Sequence, residues 1–321
     1  MGMKNKLLVG AAIVIGVPLA LIVLVVLATA VYPSFRYHTN GAIMSSGEER
    51  DYLLYVPRGY DPAKPAPLVI SLHGAMNWPG FQEEITQWDR LADEAGFLVV
   101  YPAGTGTGPR IWDMRGWREP ATMPDVRFIA DLIDKLQKIY SIDAMRIYVN
   151  GLSNGGGMAF VLSCTLSQRI AAVGVVAAAQ LLPFSWCKDT TPVPMMAIHG
   201  DIDEIVPYNG GKVWIAPVPF PSVPQWTASW AARNRCSPAP VESQVARDVL
   251  RTEYKDCAGN AAVVLYTVQG GGHQWPGGKP VPAWLELEMK LFGTPLGRRT
   301  ESIDAARELW AFFRQHPLRR E

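Results

Sequence analysis

The feature that most constrains this chain is the stretch Gly151-Leu152-Ser153-Asn154-Gly155, set between an apolar run and a helix-like run. Residues 146–150 before it read as a short buried strand, and the residues after it, to about 167, read as a helix. As a bare G-x-S-x-G pattern the stretch is weak; between a strand and a helix it is strong. A chain that passes from strand to helix in so few residues strains its backbone at the serine. Glycines on both sides keep side chains off the turn, and Gly156 and Gly157 permit still closer packing behind it. The helix start directs free N–H groups and the positive end of the helix dipole at the serine oxygen. Ser153 is therefore a candidate nucleophile, and the chain around it should be layers of strands and helices.

The rest of the sequence repeats that alternation. Residues 51–56 read as a strand, 57–62 as a turn, and 67–72 as a continuous apolar strand ending at His73-Gly74. A helical stretch around 82–95 precedes a strand at 97–101. Residues 126–140 place Phe128, Ile129, Leu132, Ile133, Leu136 and Ile139 at helical spacing. Further strands are expected at 172–177, 195–199 and 263–268, and a last helix at about 302–315. Such alternation means a mostly parallel sheet with helices on both faces. Two segments break the pattern: 216–224, with four prolines, and 279–299, mixing Pro, Trp and Leu. Either can be expected to cover a site.

The N-terminus stands apart. Lys4 and Lys6 precede an uncharged apolar run over 7–31, which as a helix reaches roughly 37 Å, enough to cross a bilayer. The charge placement keeps the N-terminus in the cytoplasm and sends the rest across. Residues 1–31 are expected to be a signal-anchor that ties the chain to a membrane through 7–31, or a signal peptide cut near Ala30 in Ala28-Thr29-Ala30. A spacer follows over 32–46, and a globular domain over 47–317. That domain is expected outside the cytoplasm, membrane-anchored or secreted. Its four cysteines, Cys164, Cys187, Cys236 and Cys257, then read as two disulfides. Three connectivities are possible, and the sequential one closes the shortest loops. None forms a CxxC or has a histidine at metal-ligand spacing, so no metal is expected. The net charge of +1 gives no hint of nucleic acid as partner.

A nucleophilic serine needs a base, and the base an orienting acid. After Ser153 the chain holds His199, His273 and His316. His273 lies in a glycine-rich loop just past a strand, Gly270-Gly271-Gly272-His273-Gln274-Trp275-Pro276-Gly277-Gly278, and is the expected base; His199 is its rival. The acid should follow the strand at 195–199, where Asp201, Asp203 and Glu204 compete, and position alone does not separate the two aspartates. The oxyanion hole needs two backbone N–H donors. These are expected from Asn154 and from the loop after the early strand, at Ala75 with Met76 second. His73 reads as a structural residue. Trp112, Trp117 and Trp275, with Met76, are expected around a substrate pocket.

Taken together, Leu72-His73-Gly74, Gly151-Leu152-Ser153-Asn154-Gly155-Gly156, Ile198-His199-Gly200-x-x-Asp203-x-x-Val206-Pro207-Tyr208 and Gly271-Gly272-His273-x-Trp275-Pro276-Gly277 resemble the polyhydroxybutyrate depolymerase-like esterases, which include feruloyl and acetyl-xylan esterases. The resemblance runs from about residue 47 to Pro317. It implies an α/β-hydrolase fold, no cofactor, and Asp203 as the acid, with Asp201 where a hydroxyl residue is usual. It implies a serine esterase in which Ser153 forms an acyl-enzyme, His273 moves the proton and Asp203 orients it. The expected substrate is a small ester, or a polysaccharide-linked acyl or feruloyl group, or a polyhydroxyalkanoate-type ester. The stretch Ile111-Trp112-Asp113-Met114-Arg115-Gly116-Trp117 departs from the family in lacking paired cysteines, and 279–299 is longer than usual. No polymer-binding module is expected after Pro317. A serine peptidase on the same fold and a non-catalytic anchored binding protein are the alternatives.

Overall fold

The computed structural model describes residues 38–106, 110–113, 123–179, 184–213, 216, 218–291 and 293–318. The apolar run over 7–31 and residues 114–117 of the tryptophan loop, Trp117 included, lie outside them. Among the described residues no helix is long and apolar enough to cross a membrane.

The apolar runs form strands for the reason their composition suggests. β3 (Ala66–Leu72), β4 (Leu98–Pro102), β6 (Ala172–Val176) and β7 (Met195–Gly200) are buried at every position. Strands covered on both faces read as continuous apolar sequence. With β5 (Ile142–Leu152) and β10 (Val263–Val268) they build a parallel centre, β4-β3-β5-β6-β7-β10. β1 (Gly41–Ser45) and β2 (Glu48–Tyr55) add an antiparallel edge beside β4, and β9 (Val249–Tyr254) and β8 (Val241–Ala246) another beside β10. The sheet has ten strands in the order β1-β2-β4-β3-β5-β6-β7-β10-β9-β8.

Seven helices are described. They are α1 (Pro79–Thr86), α2 (Trp88–Ala95), α3 (Pro124–Ile139), α4 (Asn154–Thr165), α5 (Val223–Arg233), α6 (Ala283–Leu291) and α7 (Ala305–Phe313). The side-chain alternation of the strands divides the interior in two. Leu68, Ile70, Val149 and Val100 pack with α3, α4 and α5 through Phe128, Leu132, Phe160 and Trp230. Val69, Tyr148, Val99 and Tyr101 pack on the opposite face with α1, α2 and α7 through Phe81, Trp88 and Phe313. This is the α/β-hydrolase architecture the sequence led us to expect.

Some expectations need correction. The helical stretch at 82–95 is two short helices, because Gln87 adopts φ 59° and ends the first. Residues 41–45 of the expected spacer form β1, hydrogen-bonded to β2. The proline-rich segment ends in α5, which starts on Val223-Pro224 with the Ser222 hydroxyl accepting from the Gln225 N–H at 3.3 Å. Segment 279–299 holds α6. The cysteines pair sequentially, Cys164 with Cys187 and Cys236 with Cys257.

Candidate active site

β5 ends at Leu152 and α4 begins at Asn154, so Ser153 alone makes the turn, at φ 54° and ψ −119°. That conformation is strained for a residue with a Cβ. Its amide donates to Val176 O of β6 at 2.9 Å, and its carbonyl accepts from Gly157 N at 3.0 Å. The neighbouring glycines are there for space. A Cβ on Gly155 would sit 2.3 Å from Leu72 O, and one on Gly151 would sit 2.2 Å from Gly155 C. The helix thus starts in direct contact with the end of β3, with its first N–H groups, which a helix leaves without intrahelical partners, beside Ser153.

The expected acid and base, Asp203 and His273, leave the same carboxyl edge of the sheet, after β7 and β10. His273 Nδ1 lies 2.7 Å from Asp203 Oδ2. Asp203 Oδ1 accepts from the Ile205 and Val206 amides, each at 2.8 Å, which fixes the carboxylate from its own loop. Burial pushes the Asp203 carboxyl up, but the charge of His273 and the bonds from both histidines outweigh it. The carboxyl is held well below the usual range. An ionised Asp203 keeps the proton of His273 on Nδ1 and leaves Nε2 as the basic nitrogen. Among the described residues no hydrogen bond joins Ser153 Oγ to His273. Bonds of this kind often close only when substrate arrives.

His199, the rival base, is buried beside them. Its Nε2 lies 2.8 Å from Val206 O and 3.3 Å from Asp203 Oδ2. A carbonyl only accepts, so Nε2 carries the proton and donates. Asp201 points elsewhere: its Oδ1 accepts from the Gly270 amide at 2.6 Å. The two aspartates that position could not separate are thus separated by their partners, one an imidazole and the other a backbone N–H.

The expected oxyanion loop flanks the serine, since a Cβ on Gly74 would lie 3.7 Å from Ser153 Cβ. Ala75 is exposed, and Met76 takes φ 59° and is 64% exposed. His73 is fully buried; its Nε2 accepts from Gly104 N at 3.0 Å, and Nδ1 lies 2.7 Å from Gly74 O. Burial pushes its imidazole down to about 4, so it is neutral and serves as a brace. Asn154 does more than start the helix. Its Oδ1 accepts from Trp112 N at 2.7 Å, and its Nδ2 donates to Trp112 O at 3.3 Å. The Trp112 indole donates to His73 O at 2.9 Å. Trp112 therefore links the two loops expected to supply oxyanion donors. Trp112 and Trp275 are each 2% exposed, so of the three described residues expected around a pocket, Met76 alone faces outward.

Sequence reasoning missed what holds this frame. Arg50 and Asp125 form a buried pair at 2.6 Å, and Asp125 also accepts from Thr105 Oγ1 and Asp113 N. The pair fixes both ends of the loop that carries Trp112. Beneath the elbow, Ser71, Gln82, Asn150 and Trp88 form a buried polar chain: Gln82 donates to Ser71, and Ser71 and Trp88 donate to Asn150 Oδ1. A lone polar residue in an apolar strand was the available signal. Among the described residues no cluster of His, Cys, Asp or Glu is placed to hold a metal ion.

Comparison with known proteins bears on the fold and the family. The family profile described as Esterase PHB depolymerase matches residues 50–182. The bifunctional acetylxylan esterase/xylanase XynS20E of Neocallimastix patriciarum is 35% identical over 51% of this chain, and feruloyl esterase B of Piromyces equi is 30% identical over 72%. The chain spans less than half of either relative, 23% and 44% of their lengths. The acetyl xylan esterase of Aspergillus awamori superposes with a TM-score of 0.52 at 19% identity, covering 76% of this chain and 94% of that one, a likeness of fold. With the G-x-S-x-G turn after β5, Asp203 after β7 and His273 after β10, the chain has the α/β-hydrolase fold, and over residues 50–182 it matches the PHB depolymerase-like esterase family.

Proposed function

We propose that the protein is a carboxylic-ester hydrolase working through Ser153, His273 and Asp203. The observation that carries this reading is the 2.7 Å contact between His273 Nδ1 and a buried, ionised Asp203, on the same sheet edge as a serine in the strained elbow conformation. Ser153 Oγ attacks the ester carbonyl while His273 Nε2 takes its proton. The oxyanion accepts from the Asn154 amide and from an amide of the 75–76 loop. As the intermediate collapses, the C–O bond to the alcohol breaks, and His273 returns the proton to the departing oxygen. Water, deprotonated by the same nitrogen, then releases the acid and restores Ser153.

The family relatives that are acetylxylan and feruloyl esterases support a polysaccharide-linked acyl or feruloyl ester as substrate. Two disulfides support an oxidising, extracytoplasmic site of action. We take residues 1–31 as the segment that directs the domain there. Purified protein is expected to hydrolyse p-nitrophenyl acetate or butyrate and to be labelled by a fluorophosphonate, and Ser153→Ala to lose both. Folded protein that shows neither overturns the reading; a fully active Ser153→Ala overturns the site. Methyl ferulate against acetylated xylan then separates the ester classes.

A further inference from the structure

His273 follows a stretch with little power to hold its own shape. Three glycines precede it, and glycine loses the most conformational freedom when ordered. Gly270 sits at φ 64°, where the loop turns off β10. The backbone of this loop is therefore fixed from outside. Gly272 N donates to Arg298 O at 2.8 Å, His273 N to Leu296 O at 2.6 Å, and Ile202 N to Gly271 O at 3.1 Å. The side chains that reach Gly270 are Arg298, whose Nε donates to the Gly270 carbonyl at 3.0 Å, and Asp201, whose Oδ1 accepts the Gly270 amide at 2.6 Å.

Asp201 stands two residues before Asp203. One short loop after β7 therefore grips the histidine loop at two points. Asp203 holds the imidazole, and Asp201 holds the backbone three residues upstream. The Asp201 amide also donates to Val268 O at 3.1 Å, so the grip is anchored on β10 itself. With Gly270 released, the three-glycine run would give His273 a wider range of positions relative to Asp203 and Ser153.

We infer that Asp201 is a positioning residue for the esterase reaction, acting through the Gly270 amide to hold the His273 loop in register with Asp203. The inference rests on the hydrolase reading above. The hydrogen bond, and not the charge, is what the geometry requires, so any side chain that accepts at that point should serve.

The test compares full-length wild type with Asp201→Ala and Asp201→Asn. Two readouts are taken: amide hydrogen exchange of the 269–273 segment, without substrate, and kcat and KM per active site counted by burst titration. In Asp201→Ala, exchange should rise at least about tenfold and per-site kcat should fall about 10–100-fold, the scale of a 1 Å misplacement, with KM within about twofold. Asp201→Asn, which keeps an accepting oxygen, should stay within about threefold of wild type in both readouts. The inference is overturned by unchanged exchange in Asp201→Ala, by faster exchange at wild-type per-site kcat, or by a loss confined to the number of titratable sites. It is also overturned if Asp201→Asn is as slow as Asp201→Ala, which would make charge the operative property. A wild type with normal exchange protection but no turnover would instead strike the hydrolase reading.

Discussion

Asp203 divides its two oxygens between two tasks. Oδ1 is held by the amides of its own loop, and Oδ2 faces His273 at 2.7 Å and His199 at 3.3 Å. Asp203→Asn should keep the fold but let the amide donate to His273 Nδ1, moving the proton to Nε2 where the base is needed. A loss of about 10⁴-fold in kcat is expected from that wrong tautomer, measured on p-nitrophenyl acetate with protein of unchanged circular dichroism. Trp112→Phe tests the brace on the other side of the site. It leaves the buried His73 carbonyl without the indole donor and should cost about 1–3 kcal/mol in urea unfolding. At this scale the sequence was most informative where chemistry and chain order coincide. Ser153 and His273 were legible because a motif and a glycine loop mark them. Asp201 and Asp203 were not separable from the residues alone, since both sit in one turn and only the folded chain decides which meets the imidazole. His199 was legible as a histidine at a strand end but not as a second partner of Asp203.

The elements differ in how openly they announce themselves. The parallel strands did so because burial on both faces demands apolar runs. β8 did not: Val-Glu-Ser-Gln-Val-Ala is an edge strand exposed along nearly its whole length, so no alternation is imposed on it. The break between α1 and α2 was also hidden, because Gln87 in the left-handed region has none of the usual punctuation of glycine or proline. The elbow, by contrast, is overdetermined. Gly155→Ala would drive a methyl to 2.3 Å from Leu72 O, with backbone on both sides and no flexible side chain to yield. The strand end or the helix start must move, at about 1–3 kcal/mol or more. The expected result is a lowered melting temperature together with lost fluorophosphonate labelling, because the same shift displaces the Asn154 amide.

Across the whole molecule, two carboxyls set opposing dependences on pH. Asp89 lies in the first turn of α2, where the helix dipole favours its charge, yet burial and then the neighbouring Glu83 push it up from 3.8 to about 8. Between those values the folded chain holds a proton that the unfolded chain has released. Its contribution to stability is full below about pH 4 and is lost as pH rises towards about 8. Asp203 has the opposite sign: its depressed pKa gives stability above the ordinary 3.8 that is lost as pH falls below it. His73, lowered from 6.5 to about 4, adds stability as pH rises to about 6.5 and offsets Asp89 over that range. The melting temperature should therefore fall from about pH 6.5 to pH 8, and Asp89→Asn should flatten that slope. An unchanged slope in the variant would assign the dependence to other groups.

The sequential pairing of the cysteines has a mechanical consequence. The bridges close loops with sequence separations of 23 and 21 residues, and they do not interlock. Pulled from its ends, the oxidised chain cannot pay out either loop, so roughly 150 Å of contour stays hidden however far the sheet is stripped. Adding reductant under load should release that length in two separate steps. Everything before Cys164, the nucleophile elbow included, lies on the freely extensible side.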